Sequence, residues 1–397
     1  KRRERVMETI RIGVFGLGPY GLARVRLLQR VEGYRITAVG DPIPGTHERA
    51  LAELEDRDGI GTYARYEDLL ADPNVDAVAL VMRCKEQGAM AAKALEAGKH
   101  VCAAVPAAHT IEDCWRIVTA QENSGLVYLL AEQHRYAGFI EAWCDLVQRG
   151  QLGRVAYCEG EYIGYKGRLR YYQDWETGEF VYPEDVANHR DVRRNWLHLM
   201  DIIHYLPHNL SPILKVLNDR VVEVTGMGTN APSYTHPEFD KQDIQAALMK
   251  TEKGTLMRMV CSFTLPTPSL TEDITYRVIG TRGSVESARS KDERPKLWFA
   301  DSQMHNMADV DWRFQRTDAS PEALASGHRS MDYYVQTDFR DAVLGIRPLE
   351  FDVYRAVDTA APAILAANSI RKGSALMRVP DFRPSASRPA GQMPETI

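Results

Sequence analysis

Thr9-Ile10-Arg11-Ile12-Gly13-Val14-Phe15, then Gly16-Leu17-Gly18-Pro19-Tyr20-Gly21, then Leu22-Ala23-Arg24-Val25-Arg26-Leu27-Leu28, reads as an apolar strand, a glycine turn and an amphipathic helix, in that order. In such a unit Gly16 allows the tight turn, Gly18 lets the backbone approach a pyrophosphate, and Gly21 lets the helix lie close to the strand. The free N–H groups of the helix N-terminus then receive the anion. A second strand, Arg35-Ile36-Thr37-Ala38-Val39-Gly40, ends in Asp41, where a carboxylate takes the adenosine ribose hydroxyls. Gly16, Leu17, Gly18, Pro19, Tyr20, Gly21 and Asp41 are therefore the candidate dinucleotide contacts. Pro42-Ile43, not arginine, follows Asp41. A carboxylate there repels a 2′-phosphate, so the reading favours NAD over NADP.

From 10 to about 130, apolar strands at Val75–Met82, His100–Val105 and Val127–Ala131 alternate with helical stretches. Gly98 ends one of these helices, and Thr110 with Asp113 caps the next. Alternation of this kind predicts a doubly wound parallel sheet over 7–131. The pattern changes at Glu132. A helix from about Ile140, a long strand from Arg154 to Ile163, and strands at 220–229, 243–251, 255–265 and 275–279 predict an α+β domain over 132–383 with an open, largely antiparallel sheet. Residues 164–195 read as a long loop, Trp196–Leu217 as a helix kinked at Pro207 and Pro212, and 333–344 and 352–370 as late helices. The tail 384–397 is rich in Pro, Ser and Ala and reads as disordered.

Bulk properties narrow the function class. The 397 residues are 44% hydrophobic and 26% charged, with a net charge of −5. That balance points to no nucleic acid and no anionic membrane as partner. The six cysteines form no C-x-x-C pair and no metal-ligand spacing, so no metal is expected and a reducing, cytoplasmic setting fits. Lys1–Arg5 is basic without an apolar run behind it, and no stretch approaches ~18 apolar residues.

Four segments carry a resemblance. Gly16–Gly21, Ala97-Gly98-Lys99-His100-Val101, Arg149-Gly150-Gln151-Leu152-Gly153 and Gly280-Thr281-Arg282-Gly283-Ser284-Val285-Glu286 together resemble the Gfo/Idh/MocA family of NAD(P)-dependent sugar oxidoreductases, over about 10–383. Typical members carry Glu-Lys-Pro after the G-K-H-V strand, with the lysine aiding proton transfer. Here Ala104-Val105-Pro106 stands there, and valine transfers no proton. Either this is a homologue without catalysis, or it belongs to a subgroup with other chemistry. Tyr205-x-x-His208-Asn209-Leu210-Ser211-Pro212, Val105-Pro106-Ala107-Ala108 and Gly327-His328-Arg329-Ser330-Met331-Asp332-Tyr333 are similar to the NAD-dependent α-N-acetylgalactosaminidases and their relatives, and the basic stretch 164–195, by its charge alone, points toward the sulfoquinovosidases.

That resemblance implies a glycosidase cycle of oxidation at C3, elimination, water addition and re-reduction, with NAD returned unchanged and a small-molecule glycoside as partner. It also implies a homo-oligomer. Tyr205 and His208, three residues apart, share one face if the turn is helical. They are the candidate acid/base pair, with the roles left undivided. Glu132, at a strand end, is a candidate acid, substrate or cofactor ligand, or simply a capping carboxylate. Asp201 either orients Tyr205 or starts a helix. Pro106 joins the cofactor contacts, and His328 and Tyr333 the sugar contacts. Lys166, Arg168 and Arg194, from the basic stretch 164–195, either grip an anionic sugar or form a solvated patch. An ordinary sugar dehydrogenase is the alternative function.

Overall fold

The computed structural model describes residues 8–82, 85–164, 172–265 and 274–397. Strands β1 (Ile10–Phe15), β2 (Tyr34–Gly40), β3 (Gly61–Tyr63), β4 (Ala77–Leu80), β5 (His100–Ala103) and β6 (Tyr128–Leu130) alternate with α1 (Pro19–Leu28), α2 (Gly45–Ala52), α3 (Tyr66–Ala71), α4 (Gln87–Glu96) and α5 (Ile111–Ser124). They form one parallel sheet in the order β3-β2-β1-β4-β5-β6. Its central strands are apolar almost throughout because helices cover both faces. The Thr110 side chain accepts from Asp113 N at 3.0 Å and caps α5, and Gly125 ends that helix at φ +66°. The order reverses between β1 and β4, and ligands of such sheets bind at the carboxyl ends of the strands there.

The second domain begins with a 3₁₀ turn, Gln133–Tyr136, and α6 (Gly138–Gln148). Strand β7 (Val155–Ile163) follows, then three short strands, β8 (Tyr172–Asp174), β9 (Phe180–Val181) and β10 (Val192–Arg194). Short helix α7 (Trp196–Leu199), a 3₁₀ turn at Ile202–Tyr205 and α8 (Pro207–Leu217) precede β11 (Val221–Gly228), β12 (Gln245–Thr251), β13 (Leu256–Ser262), β14 (Ile274–Gly280), β15 (Gly283–Glu286), β16 (Lys296–Phe299) and β17 (Ala308–Asp309). Helices α9 (Pro321–Leu324), α10 (Met331–Val343) and α11 (Val353–Arg371) and strand β18 (Met377–Arg378) complete it. The nine-stranded sheet runs β17-β16-β15-β14-β7-β13-β12-β11-β18, antiparallel except for β7 beside β13. Helix α11 lies so close to β11 that a Cβ on Gly226 would stand 2.6 Å from the Ala366 carbonyl oxygen.

Two expectations are corrected. Residues 172–194 are not an open loop but a three-stranded antiparallel sheet, β10-β8-β9. Strands of two and three residues leave no periodicity to read. Asp174 fixes the hairpin by accepting from Glu176 N (2.7 Å) and Thr177 N (3.0 Å) and pairing with His189 (2.6 Å). The tail 384–397, read as disordered, instead packs on α5. Arg388 places its guanidinium on Glu122 at 2.9 Å, with both side chains about 5% exposed or less, and Gly391 N donates to the same carboxylate. The charged pair and that amide fasten a segment whose composition holds almost no apolar anchor. Among the described residues no helix is long and apolar enough to cross a membrane.

Candidate active site

The cofactor end of the cleft is shaped by backbone. Gly16 sits at φ +97°, and a Cβ there would lie 2.5 Å from the Val81 carbonyl oxygen. At Gly21 a Cβ would lie 1.8 Å from the Gly16 oxygen, so α1 can start against β1 only without a side chain. A Cβ on Gly18 would meet nothing within 4 Å. The space it leaves is a cradle for phosphate at the helix N-terminus. Asp41 is buried, and its carboxylate accepts from Leu17 N (2.6 Å) and Ile43 N (2.8 Å). Burial raises its pKa above the usual carboxylate range, against those two amides. It thus braces the glycine turn besides lining the cavity.

That cavity has a volume of about 640 Å³ and runs from Asp41 past Gly18, Pro19 and Tyr20 to Met82, His109 and Trp196. Its outer wall comes from the small sheet: Gln173, Trp175, Phe180 and Arg194 all line it. Arg49 in α2 donates to the Thr177 oxygen at 3.1 Å and ties the hairpin to the first domain. Arg194, expected at the sugar, therefore stands on the cofactor wall. Lys166 and Arg168 lie outside the described residues. Val105-Pro106 is a cis peptide, and Gln87 Nε2 donates to the Ala104 and Pro106 oxygens on either side of it.

Beside this cavity the second domain gathers polar side chains from several elements. Glu132, at the end of β6, is fully buried. Its Oε1 accepts from His134 N at 2.9 Å, and its Oε2 lies 2.7 Å from His208 Nδ1. His208 sits in the first turn of α8, behind Pro207. That helix is seated by Asn209, which donates to the Gly160 and Val260 oxygens at 3.1 Å, while Tyr276 donates to the His208 oxygen at 2.8 Å. The Tyr205 ring lies 5.2 Å from His208, centre to centre, and stacks on Trp196 at 4.9 Å and 13°. Because Trp196 lines the cofactor cavity, Tyr205 is the residue of the pair adjoining that wall.

Four further side chains were not anticipated from the sequence: two complete the cluster and two lie at the cofactor cavity. Tyr162 of β7 stands 5.7 Å from His208 and 6.4 Å from Tyr205. His134 stands 5.5 Å from His208 and 6.4 Å from His328. His109 lines the cofactor cavity and meets His204 edge-on at 4.9 Å. Burial, then Lys85, pushes His109 down to about 4. Burial, then His109 and Arg371, pushes His204 down to about 3, so both are neutral near pH 7. The available signals were positional: Tyr162 at the end of a core strand, His134 two residues after Glu132, and His204 beside Tyr205.

His328 is brought close by backbone that few side chains accept. His328, Arg329 and Ser330 take φ values of 46°, 54° and 79° in succession, an arrangement that costs energy and persists where packing enforces it. His328 Nδ1 pairs with Asp332 Oδ2 at 2.9 Å. Burial alone would raise the Asp332 carboxyl, but His328, Arg24 and His134 hold it at about 2.

Asp201 and Tyr333 are not part of this cluster. The Asp201 carboxylate turns to Arg371 and to Gln245 Nε2 (3.4 Å), tying the Ile202–Tyr205 turn to α11 and β12 and leaving Tyr205 unoriented by it. Tyr333 lines a separate hollow with Tyr334, Arg316 and Asp338.

Residues 10–132 match the model of the oxidoreductase family, NAD-binding Rossmann fold, and residues 140–387 match the glycosyl hydrolase 109 C-terminal domain. The chain is 26% identical to glycosyl hydrolase family 109 protein 1 of Bacteroides thetaiotaomicron, over 95% of this chain and 85% of that one. It is also 26% identical to an α-N-acetylgalactosaminidase of Tannerella forsythia, over 94% and 86% respectively. Among solved structures, an oxidoreductase domain protein from Kribbella flavida superposes with a TM-score of 0.72 at 16% identity, over 94% of this chain and all of the other. Scyllo-inositol dehydrogenase from Lactobacillus casei, solved with NAD(H) and scyllo-inositol, gives 0.68 at 17%, over 93% and 99%. These two likenesses show the fold. With an NAD-binding domain in front and the matching C-terminal domain behind it, the chain belongs to the glycosyl hydrolase 109 family.

Proposed function

We propose that this protein is an NAD-dependent glycoside hydrolase that opens the glycosidic bond by oxidation at C3, elimination across C2 and C1, addition of water and re-reduction. One observation carries the reading: the buried Glu132–His208 pair adjoins Tyr205, which is stacked on a wall of the cofactor cavity. Bound NAD would supply the hydride acceptor at C3 and return the hydride at the end of the cycle.

The chain's own residues move the protons. Tyr205, beside the cofactor wall, takes the C3 hydroxyl proton. The Glu132 carboxylate, 2.7 Å from His208 Nδ1, favours the hydrogen on that nitrogen and leaves the Nε2 lone pair for the C2 proton, which the C3 carbonyl has made acidic. Glu132 acts by fixing that tautomer. Val105 in the family's lysine position leaves the proton work to Tyr205 and His208. His328, braced by Asp332, contacts the sugar, as Tyr162 does. Glycoside and water go in, sugar and aglycone come out, and the cofactor ends as it began.

The finer reading of the sugar is an anionic one, a sulfoquinovoside first, supported by Lys166 and Arg168 in the sequence and by Arg194 beside Trp196 on the cavity wall. An N-acetylgalactosaminide, which the name of the Tannerella forsythia relative supports, is the competing substrate. A homo-oligomer joined through the open sheet is part of the proposal, supported by exposed Met227, Leu248 and Leu256 on one face of β11, β12 and β13. The five described cysteines are buried and free, which supports a cytoplasmic setting.

The experiment is turnover of aryl glycosides in heavy water. Aglycone release with deuterium at C2 and no net reduced cofactor is the expected result. One reduced cofactor per product would make the protein a sugar dehydrogenase instead. Equal rates on neutral and sulfonated forms of one glycoside would remove the anionic-sugar reading alone.

A further inference from the structure

We propose that Glu132, His134 and His208 form a site for one divalent transition-metal ion of the zinc class, and that the ion, when bound, turns the His208 base off. Each residue offers one donor atom, and these atoms all lie within 4.8 Å of one another. All three side chains are buried, with Glu132 fully so. One carboxylate with two imidazoles is a donor set that zinc and its neighbours prefer over magnesium or calcium, which want oxygen.

The scaffold is already rigid. Glu132 Oε1 is held by His134 N, so Oε2 faces His208. Around a tetrahedral zinc with bonds near ~2.0–2.1 Å, neighbouring donors stand about 3.3 Å apart. Glu132 Oε2 and His208 Nδ1 stand 2.7 Å apart, so they need to open by only a few tenths of an ångström. Anchors at Asn209 and Tyr276 hold the helix that carries His208.

The consequence follows from the tautomer. A proton on Nδ1, facing Glu132, leaves the Nε2 lone pair free to accept. An ion on Nδ1 displaces that proton to solvent and leaves the ring's one remaining hydrogen on Nε2, which then donates and cannot take up the C2 proton. Ion and base activity are therefore mutually exclusive at this imidazole. The binding half of the inference stands on geometry alone, and the inhibition half rests on the proposed glycosidase reaction.

The NAD-loaded protein is titrated with zinc sulfate by calorimetry, and the retained metal is counted after gel filtration. One ion per chain is expected, weakened about 100-fold or more in His134→Gln and in Glu132→Gln. Their melting curves serve as the check on folding. Glycoside turnover by the unsubstituted protein should fall with zinc and return with chelator, while the turnover that His134→Gln retains should ignore zinc. No saturable binding up to about 100 μM zinc, or binding that neither substitution moves, overturns the site. Stoichiometric, substitution-sensitive binding to a protein without glycosidase activity leaves the site standing and removes the proposed function. Normal turnover that zinc never alters, with no ion retained, removes this inference alone.

Discussion

The two ends of the cleft are built from opposite materials. At the cofactor end the decisive features are side chains that are missing. Gly16, Gly18 and Gly21 shape a turn in which a Cβ would collide with a backbone carbonyl or stand in the phosphate cradle. At the other end everything depends on side chains that are present, brought from the end of β6, from β7, from α8 and from the turn before α8 into one cluster whose centre, Glu132 and His208, is buried. A backbone site is local in sequence and tolerates change around it. A side-chain site is assembled from positions far apart and fails one residue at a time.

The sharpest way to break that contrast is at His208. His208→Ala should lower glycoside turnover by about 10²–10⁴-fold, the ordinary worth of a positioned base, while NAD still binds to the intact glycine turn. Tyr205→Phe should behave alike, since it removes only the proton-carrying oxygen and keeps the ring stacked on Trp196. Turnover together with cofactor retention, read from the same sample, is the measurement. A loss of NAD in either variant would mean that the two ends are one cooperative unit.

Glu132→Gln tests the same end more gently. The amide keeps the size and the contact with His134 N but no longer enforces one imidazole tautomer. A drop of about 100-fold in turnover with an unchanged Michaelis constant is expected. A rise in the Michaelis constant alone would instead make Glu132 a sugar ligand.

At the backbone end, Gly18→Ala should leave the fold intact, because its Cβ enters open space, and should weaken NAD by about tenfold. Gly21→Ala has no such room and should lower the melting temperature as well. Equal melting temperatures for the two variants would contradict the close approach of α1 to β1.

This division also explains what could be read from the chain. The first domain was legible because each of its signals is local: the strand before Gly16, the carboxylate after β2, and Thr110 three residues before the amide it caps. The second sheet was legible as strands and turns, although the parallel pairing of β7 with β13 is a long-range fact that no local pattern records. Tyr205 and His208 were legible only through the family motif, since a tyrosine and a histidine around prolines are ordinary core residues otherwise. Tyr162 and His134 were not singled out, for their importance lies in distances to His208 that span dozens of residues. Arg194 was read as a sugar contact, and the structure puts it on the wall of the cofactor cavity. The short hairpin that carries it onto the cofactor wall has no periodicity. The tail misled for the reverse reason: its composition is that of a disordered segment, but the Arg388–Glu122 pair, Gly391 N on the same carboxylate and Asn123 on the Gly391 oxygen hold it to α5.

The smallest effect lies where the two ends meet. His109 lines the cofactor cavity, and His204 precedes Tyr205. Their rings touch edge-on, and His109 Nε2 and His204 Nδ1 are buried without a hydrogen-bond partner. Burial, with Lys85, Lys241 and Arg371 nearby, holds them at about 4 and about 3, while Glu86, Asp113 and Asp201 offset this only in part at His109. Each folded value lies below the unfolded one of about 6.5. The unfolded chain therefore binds more protons in between, and stability rises with pH across that window. The contribution is complete above about pH 6.5 and is lost as pH falls toward 4, at up to about 1.4 kcal/mol per histidine per pH unit. His204→Phe removes one of the two titrations and fills the same apolar space, so its urea midpoint should fall less between pH 7 and 5 than that of the unsubstituted protein. Parallel slopes would mean that acid reaches these rings without unfolding, and the junction would then be an open polar seam between backbone site and side-chain site, not a dry one.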